Sequence, residues 1–280
     1  MNQTTATTLT RTFEDDATIS LELDNTRGDV EIHADATPGT ATVELRADRE
    51  VDFEGVELSC RDGKVTVDVP ALLGPEDARG FSFSLGPIKL ASGDSAHVRV
   101  IVHVPQGADV QARTRTGNVV VTGTTGTTRV TTGTGDVRVQ DSGALKATSG
   151  SGDVLVGRCT SGSLTTGSGD VRLEEATGPG TLQLRSGSGD LEVGARTEET
   201  TAATGSGSID LALGAGRANV RTGTGDVLVR VPRDLPVWLD LNTALGDVSR
   251  RIDPVGPPEE GQQHLSVSVR SGTGDIAISH

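Results

Sequence analysis

The chain has 280 residues, a formal net charge of −14 and only 2% aromatic residues, with 37 glycines, one Trp, four Phe and no Tyr. This balance argues against nucleic acid as a partner, because affinity for a phosphate backbone comes from Lys and Arg, and against an anionic membrane surface for the same reason. Without aromatic anchors the core must be built from Val, Leu, Ile, Ala and Thr, a palette suited to thin, pleated β structure.

Taken from the N-terminus, residues 1–12 (MNQTTATTLTRT) have no apolar run and read as a disordered tail. They lack the apolar region of a secretory signal, and no segment approaches the roughly 18–20 apolar residues needed to span a bilayer. The expectation is a cytoplasmic chain without membrane insertion, or an envelope-associated or extracellular one if a leader has been removed. Cys60 and Cys159 are too few and too far apart for a disulfide framework and are expected to be small, buried or half-buried residues.

Residues 13–110 follow a loose β grammar. NTRGDVEI (25–32) is a Gly-Asp corner leading into a strand, and TATVELRA (40–47), VELS (56–59), KVTVDV (64–69) and HVRVIVHV (97–104) alternate apolar and polar residues between turn residues. In the last of these His97, Arg99, Ile101 and His103 share a face opposite four valines, the pattern of a polar sheet surface. None of the five histidines has a metal-binding spacing, no GxSxG elbow precedes a helix, and the glycine turns lack the Lys of a phosphate loop. The expectation is therefore no enzyme and no cofactor. An insert at 70–96 interrupts the pattern and carries Phe81 and Phe83, half of the phenylalanines. A loop of that length suggests a flap over one end of a repeat stack or, alternatively, a partner-contact loop using Phe81 and Phe83.

From 111 to 280 the chain is repetitive: TGTGDVRV (132–139), SGSGDVLV (149–156), TGSGDVRL (166–173), SGSGDLEV (186–193), TGTGDVLV (222–229) and SGTGDIAI (271–278) are near copies. A period close to 18 residues is too short for helical repeats, and frequent glycine with β-branched residues disfavours helix. Each repeat reads as two short strands joined at a glycine corner. The fold class expected is all-β, a β-solenoid of about 18-residue coils continuous with the N-terminal region. An antiparallel meander or sandwich is the alternative, but it gives no reason for one set of turns to repeat faithfully while the opposite connections vary. The C-terminal coil, ending abruptly at GDIAISH, is expected to form an open end, and PVGPPEEG (254–261) an exposed loop that shields an edge.

The corner carboxylates Asp136, Asp153, Asp170, Asp190 and Asp226 recur at equivalent positions. They differ from a toxin-type Ca²⁺ repeat in period and in the missing spacer residue, so each corner offers one carboxylate. A solvated, hydrogen-bonded ladder is the expected reading, with a Ca²⁺ ladder as the lesser alternative.

The early NTRGDVEI corner, the strand ending in Val-Pro (VIVHVPQGADV, 100–110), the ladder of TGSGDV turns and the final SGTGDI together resemble the bacterial putative-adhesin family, over roughly residues 13–280. The resemblance implies a β-solenoid-like fold and an adhesive or envelope-associated scaffold role. The functional expectation is a non-catalytic structural or adhesin-like scaffold that self-associates through coil ends or edges. Its alternative is a binding module for a polysaccharide or protein partner.

Overall fold

The computed structural model describes residues 6–73, 95–252 and 262–280, and the backbone of 82–85 and 88–91. Among these residues there are twenty-three strands, one 3-10 turn and no α-helix. The chain divides into two compact units, residues 1–126 with 130–133, and residues 127–129 with 134–280. The division lies downstream of the 110/111 boundary expected from the repeats, because Val119–Thr125 pairs in parallel with Val30–Ala36 of the first unit.

In the first unit, Ser20–Arg27 lies between Lys64–Val69 and Asp109–Thr116, and Val30–Ala36 lies between Val98–Pro105 and Val119–Thr125, all in parallel register. Antiparallel neighbours extend both rows: Glu57–Arg61 beside Lys64–Val69, and Thr40–Val51 beside Val98–Pro105. Ala6–Glu14 then pairs antiparallel with Thr40–Val51, so the stretch expected to be a tail is an edge strand from Ala6 onward. Its Thr-rich pattern has no strong apolar face because only one side of it is packed. Val98, Val100, Val102 and Val104 are buried, while Arg99 and His103 face outward as the alternation predicts. Within the 70–96 insert, Ser82–Leu85 pairs antiparallel with Ile88–Ala91. Phe81 and the side chain of Phe83 lie outside the described residues.

The second unit is a stack of parallel, in-register coils. Val137–Ser151, Val154–Ser168, Val171–Ser188 and Leu191–Ser206 pair one upon the next. Ile209–Leu213 and Gly216–Thr224 together form the following coil. The variable connections opposite the corners are bends within these continuous strands. Inside, identical positions form apolar rows, such as Val137, Val154, Val171, Leu191, Ile209, Val227 and Ile276, all buried. Each buried branched side chain contributes about 1.5–3 kcal/mol, and the repetition supplies a core without aromatics.

The coil order departs from chain order at the end. Leu265–Thr273 pairs with both Gly216–Thr224 and Val237–Leu245, and Ile276–Ser279 pairs with both Val227–Arg230 and Val248–Arg251. The last coil in sequence is thus inserted, and Val237–Arg251 is the outermost coil instead of GDIAISH. Register places Arg250 opposite buried Ile278, at a position that faces the interior in the coils within, yet here Arg250 is exposed. A charged residue there can be tolerated only where nothing stacks beyond, and charge on an edge strand is a recognised device for blunting a sheet edge. PVGPPEEG (254–261) lies outside the described residues.

The corner motif is explained position by position by contacts between coils. In TGSGD, Thr166 is buried and its hydroxyl donates to the Gly152 carbonyl of the preceding corner at 2.8 Å. A Cβ on Gly167 would stand 2.5 Å from the Gly150 oxygen, and one on Gly169 would stand 2.3 Å from the Gly152 oxygen. Gly169 also has φ +143°, a conformation that side chains disfavour. Replacing Gly169 with Ala is expected to cost on the order of 3 kcal/mol, from strain and a backbone clash together. Asp170→Asn retains an acceptor oxygen and should cost well under half as much. Thermal denaturation of the two variants checks this; equal losses of Tm would contradict it.

Candidate functional site

The five corner aspartates occupy equivalent positions, and at all five the structure shows one recurring bond. Asp136, Asp153, Asp170 and Asp190 each accept, through Oδ1, the backbone N–H of Asp153, Asp170, Asp190 and Ser208, at 2.7–3.0 Å. Asp226 accepts the N–H of Asp275, and Asp275 that of Asp247, both at 2.8 Å. Asp29 does the same in the first unit toward Asn118 at 2.9 Å. A second ladder runs inside it, in which Ser149, Ser186, Thr204 and Thr222 donate to glycine carbonyls at 2.9–3.1 Å. The carboxylate ladder therefore joins coils through one oxygen of each group. Among the described residues no cluster of three or more His, Cys, Asp or Glu side chains is placed to hold a metal ion.

Other polar features belong to the first unit. The His33 and His103 rings stack at 4.9 Å, with His103 Nδ1 2.7 Å from Asp35 and His33 Nδ1 2.8 Å from the Thr122 hydroxyl. An open cleft of about 430 Å³ nearby is lined by Asp16, Thr18, Asp35, Pro38, Pro105 and Gln106. Asp15 accepts the N–H groups of Ala17 and Gly63, both at 2.9 Å, and these bonds hold its carboxyl below the usual value.

Sequence reasoning did not find the surface of the outermost coil. Trp238, Leu245 and Val248 are 72%, 69% and 40% exposed and are the exposed large hydrophobic residues of the described chain. Val237, Leu239 and Leu241, at positions buried in other coils, are only half-buried. The signal that could have marked this coil was Arg250 at a position that faces the interior in the coils within.

The model of the Toastrack DUF4097 family matches residues 18–279. No curated protein matches the chain. Among solved structures, a "putative adhesin" from Bacteroides fragilis NCTC 9343 is 14% identical with TM-score 0.50, over 97% of this chain and 96% of that one. A "putative adhesin" from Parabacteroides distasonis ATCC 8503 is 13% identical with TM-score 0.51, over 96% of both chains. A "putative lipid binding protein" from the same organism is 10% identical with TM-score 0.50, again over 96% of both. At these identities the likeness is one of fold. Among the described residues no helix is long and apolar enough to cross a membrane.

The two thiols are free, Cys60 half-buried and Cys159 buried. Burial pushes the Cys159 thiol up to about 11, so little thiolate exists at neutral pH. In the native protein at pH 8, iodoacetamide should leave Cys159 unmodified while unfolding in urea releases it. Peptide mass mapping checks this; rapid native labelling of Cys159 would contradict the packing described.

Proposed function

Because the chain belongs to the Toastrack DUF4097 family, we propose that it is a non-catalytic, adhesin-like β scaffold that self-associates through its outermost coil, Val237–Arg251. The observation that carries this reading is the concentration of exposed Trp238, Leu245 and Val248 on that one coil. Among the described residues Val237–Leu245 and Val248–Arg251 are paired on one side alone, and such an edge is a template for another strand, with apolar side chains beside it adding buried area to the pairing. The favoured occupant is a second copy of the chain, because the coil is electrically balanced: Asp240 and Asp247 offset Arg250 and Arg251, although the whole chain carries −14. Two copies meeting at this coil bring together surfaces of no net charge. The names of the similar structures, adhesins and a lipid-binding protein, agree with a protein that acts by contact.

A second reading, a binding module, is favoured by the polar outer face of the second unit. The corner carboxylates are assigned to coil coupling, with Ca²⁺ binding left as the lesser proposal for the same groups.

Trp238 is the only tryptophan, so its fluorescence reports the edge directly. With rising concentration, sedimentation velocity should show dimer formation accompanied by a blue shift of Trp238 emission. Trp238→Glu with Leu245→Lys should abolish the dimer while leaving the circular dichroism unchanged. A wild-type chain that stays monomeric with unchanged emission across the micromolar range would overturn the reading.

A further inference from the structure

The two outer faces of the second unit treat their arginines differently. On the strands that follow the corners, and at the bends just beyond them, arginines are paired with carboxylates: Arg138 with Asp136 at 3.1 Å, Arg158 with Asp141 at 2.8 Å, Arg172 with Glu192, and Arg230 with Asp210. On the strands that precede the corners, parallel register sets Thr165, Arg185, Ala203, Arg221, Arg270 and Asn242 in one row across successive coils. Arg185, Arg221 and Arg270 are exposed. None of the three has an ion-pair partner among the described residues, so the row is a line of unneutralised cations on a chain of net charge −14.

The neighbouring row on the same face is Ser163, Gln183, Thr201, Asn219, Ser268 and Asp240. One hydroxyl or amide side chain is therefore offered on most coils, beside the cations, at a repeat of about 4.8 Å set by strand spacing. Such a surface suits a linear polymer that is itself periodic, rich in hydroxyl groups and negatively charged. The exposed aromatic side chain on this face, Trp238, stands at its outermost coil and away from the arginine row, so along the row charge and hydrogen bonding must carry recognition. Arg185 and Arg221 are two coils, or about 10 Å, apart, a separation that lets them engage charges on alternate units of a chain. Duplex nucleic acid fits less well, since three cations neutralise few phosphates and the surrounding chain is acidic.

We propose that this face binds an acidic polysaccharide, its carboxylates paired with Arg185, Arg221 and Arg270 and its hydroxyls bonded to the adjacent row. The site rests on the binding-module reading of the scaffold; its three arginines lie on coils inside the outermost one, although its rows end at Asp240 and Asn242 of that coil. Arginine suits the role because its planar fork donates two parallel hydrogen bonds to a carboxylate.

The full chain would be titrated calorimetrically with polygalacturonate oligomers at low salt, with dextran as the uncharged control. The expected result is binding to polygalacturonate alone, weakened about tenfold between roughly 50 and 200 mM salt, as a few screened ion contacts require. The triple variant Arg185→Gln, Arg221→Gln, Arg270→Gln should lose about tenfold in affinity, the scale of three exposed ion contacts. A control with the same charge change on the other face, Arg138→Gln, Arg172→Gln, Arg230→Gln, should bind as the wild type does. The Leu245→Lys, Val248→Glu variant, which alters the outermost coil without changing Trp238 or the arginine face, should also bind normally, so that failure of self-association and failure of this site are read separately. No polygalacturonate binding, equal loss in both triple variants, or equal affinity for dextran, duplex DNA or anionic phospholipid vesicles would overturn the proposal.

Discussion

At the Gly-Asp corners of the second unit, the backbone of one coil approaches the next more closely than any Cβ would permit, and at most steps a carboxylate bridges the two. The bond from a backbone N–H to an ionised acceptor is among the stronger ones a protein surface can make, about 1.5–3 kcal/mol in favourable settings. Its acceptor is supplied by one coil and its donor by the next, as in Asp153 Oδ1 and the Asp170 N–H. The inner bond from Thr166 to the Gly152 carbonyl fixes the same step from the other side. Stability in such a stack is a sum of nearest-neighbour terms, and these corners make the terms nearly identical. That is why a core lacking aromatic residues suffices.

A scaffold locked at its corners leaves its faces free to differ. One outer face closes its arginines onto carboxylates; the other leaves Arg185, Arg221 and Arg270 open. The outermost coil differs again, with Trp238 and Leu245 exposed and an exposed Arg250 in register with the interior row. Coil identity thus sits in the residues between corners, where register, set by the corners, decides which side chains become neighbours.

The corners and the alternation around them were readable directly, because TGSGDV repeats make local geometry and spacing coincide. The order of coils was not, since VWLDLNTALGDVSRR and LSVSVRSGTGDIAIS both satisfy the same strand-corner-strand pattern. Only Arg250, opposite Ile278, separates an edge coil from an interior one, and its place in register with the interior row emerges after the register is known. The Ala6–Glu14 strand was hidden because an edge strand packed on one side needs few apolar residues. The cationic row was masked by the overall −14: Arg185 and Arg221 stand two coils apart, and Arg221 and Arg270, 49 residues apart in sequence, become neighbours only through the inserted final coil.

The central claim is that the corner carboxylates and glycines couple the coils. Amide hydrogen exchange measured residue by residue tests it most directly, because the N–H groups of Asp170, Asp190 and Ser208 sit at exposed corners where their only protection is the carboxylate of the preceding coil. The account predicts exchange at these amides nearly as slow as in the flanking strands. Exchange at the rate of an unstructured peptide would contradict it.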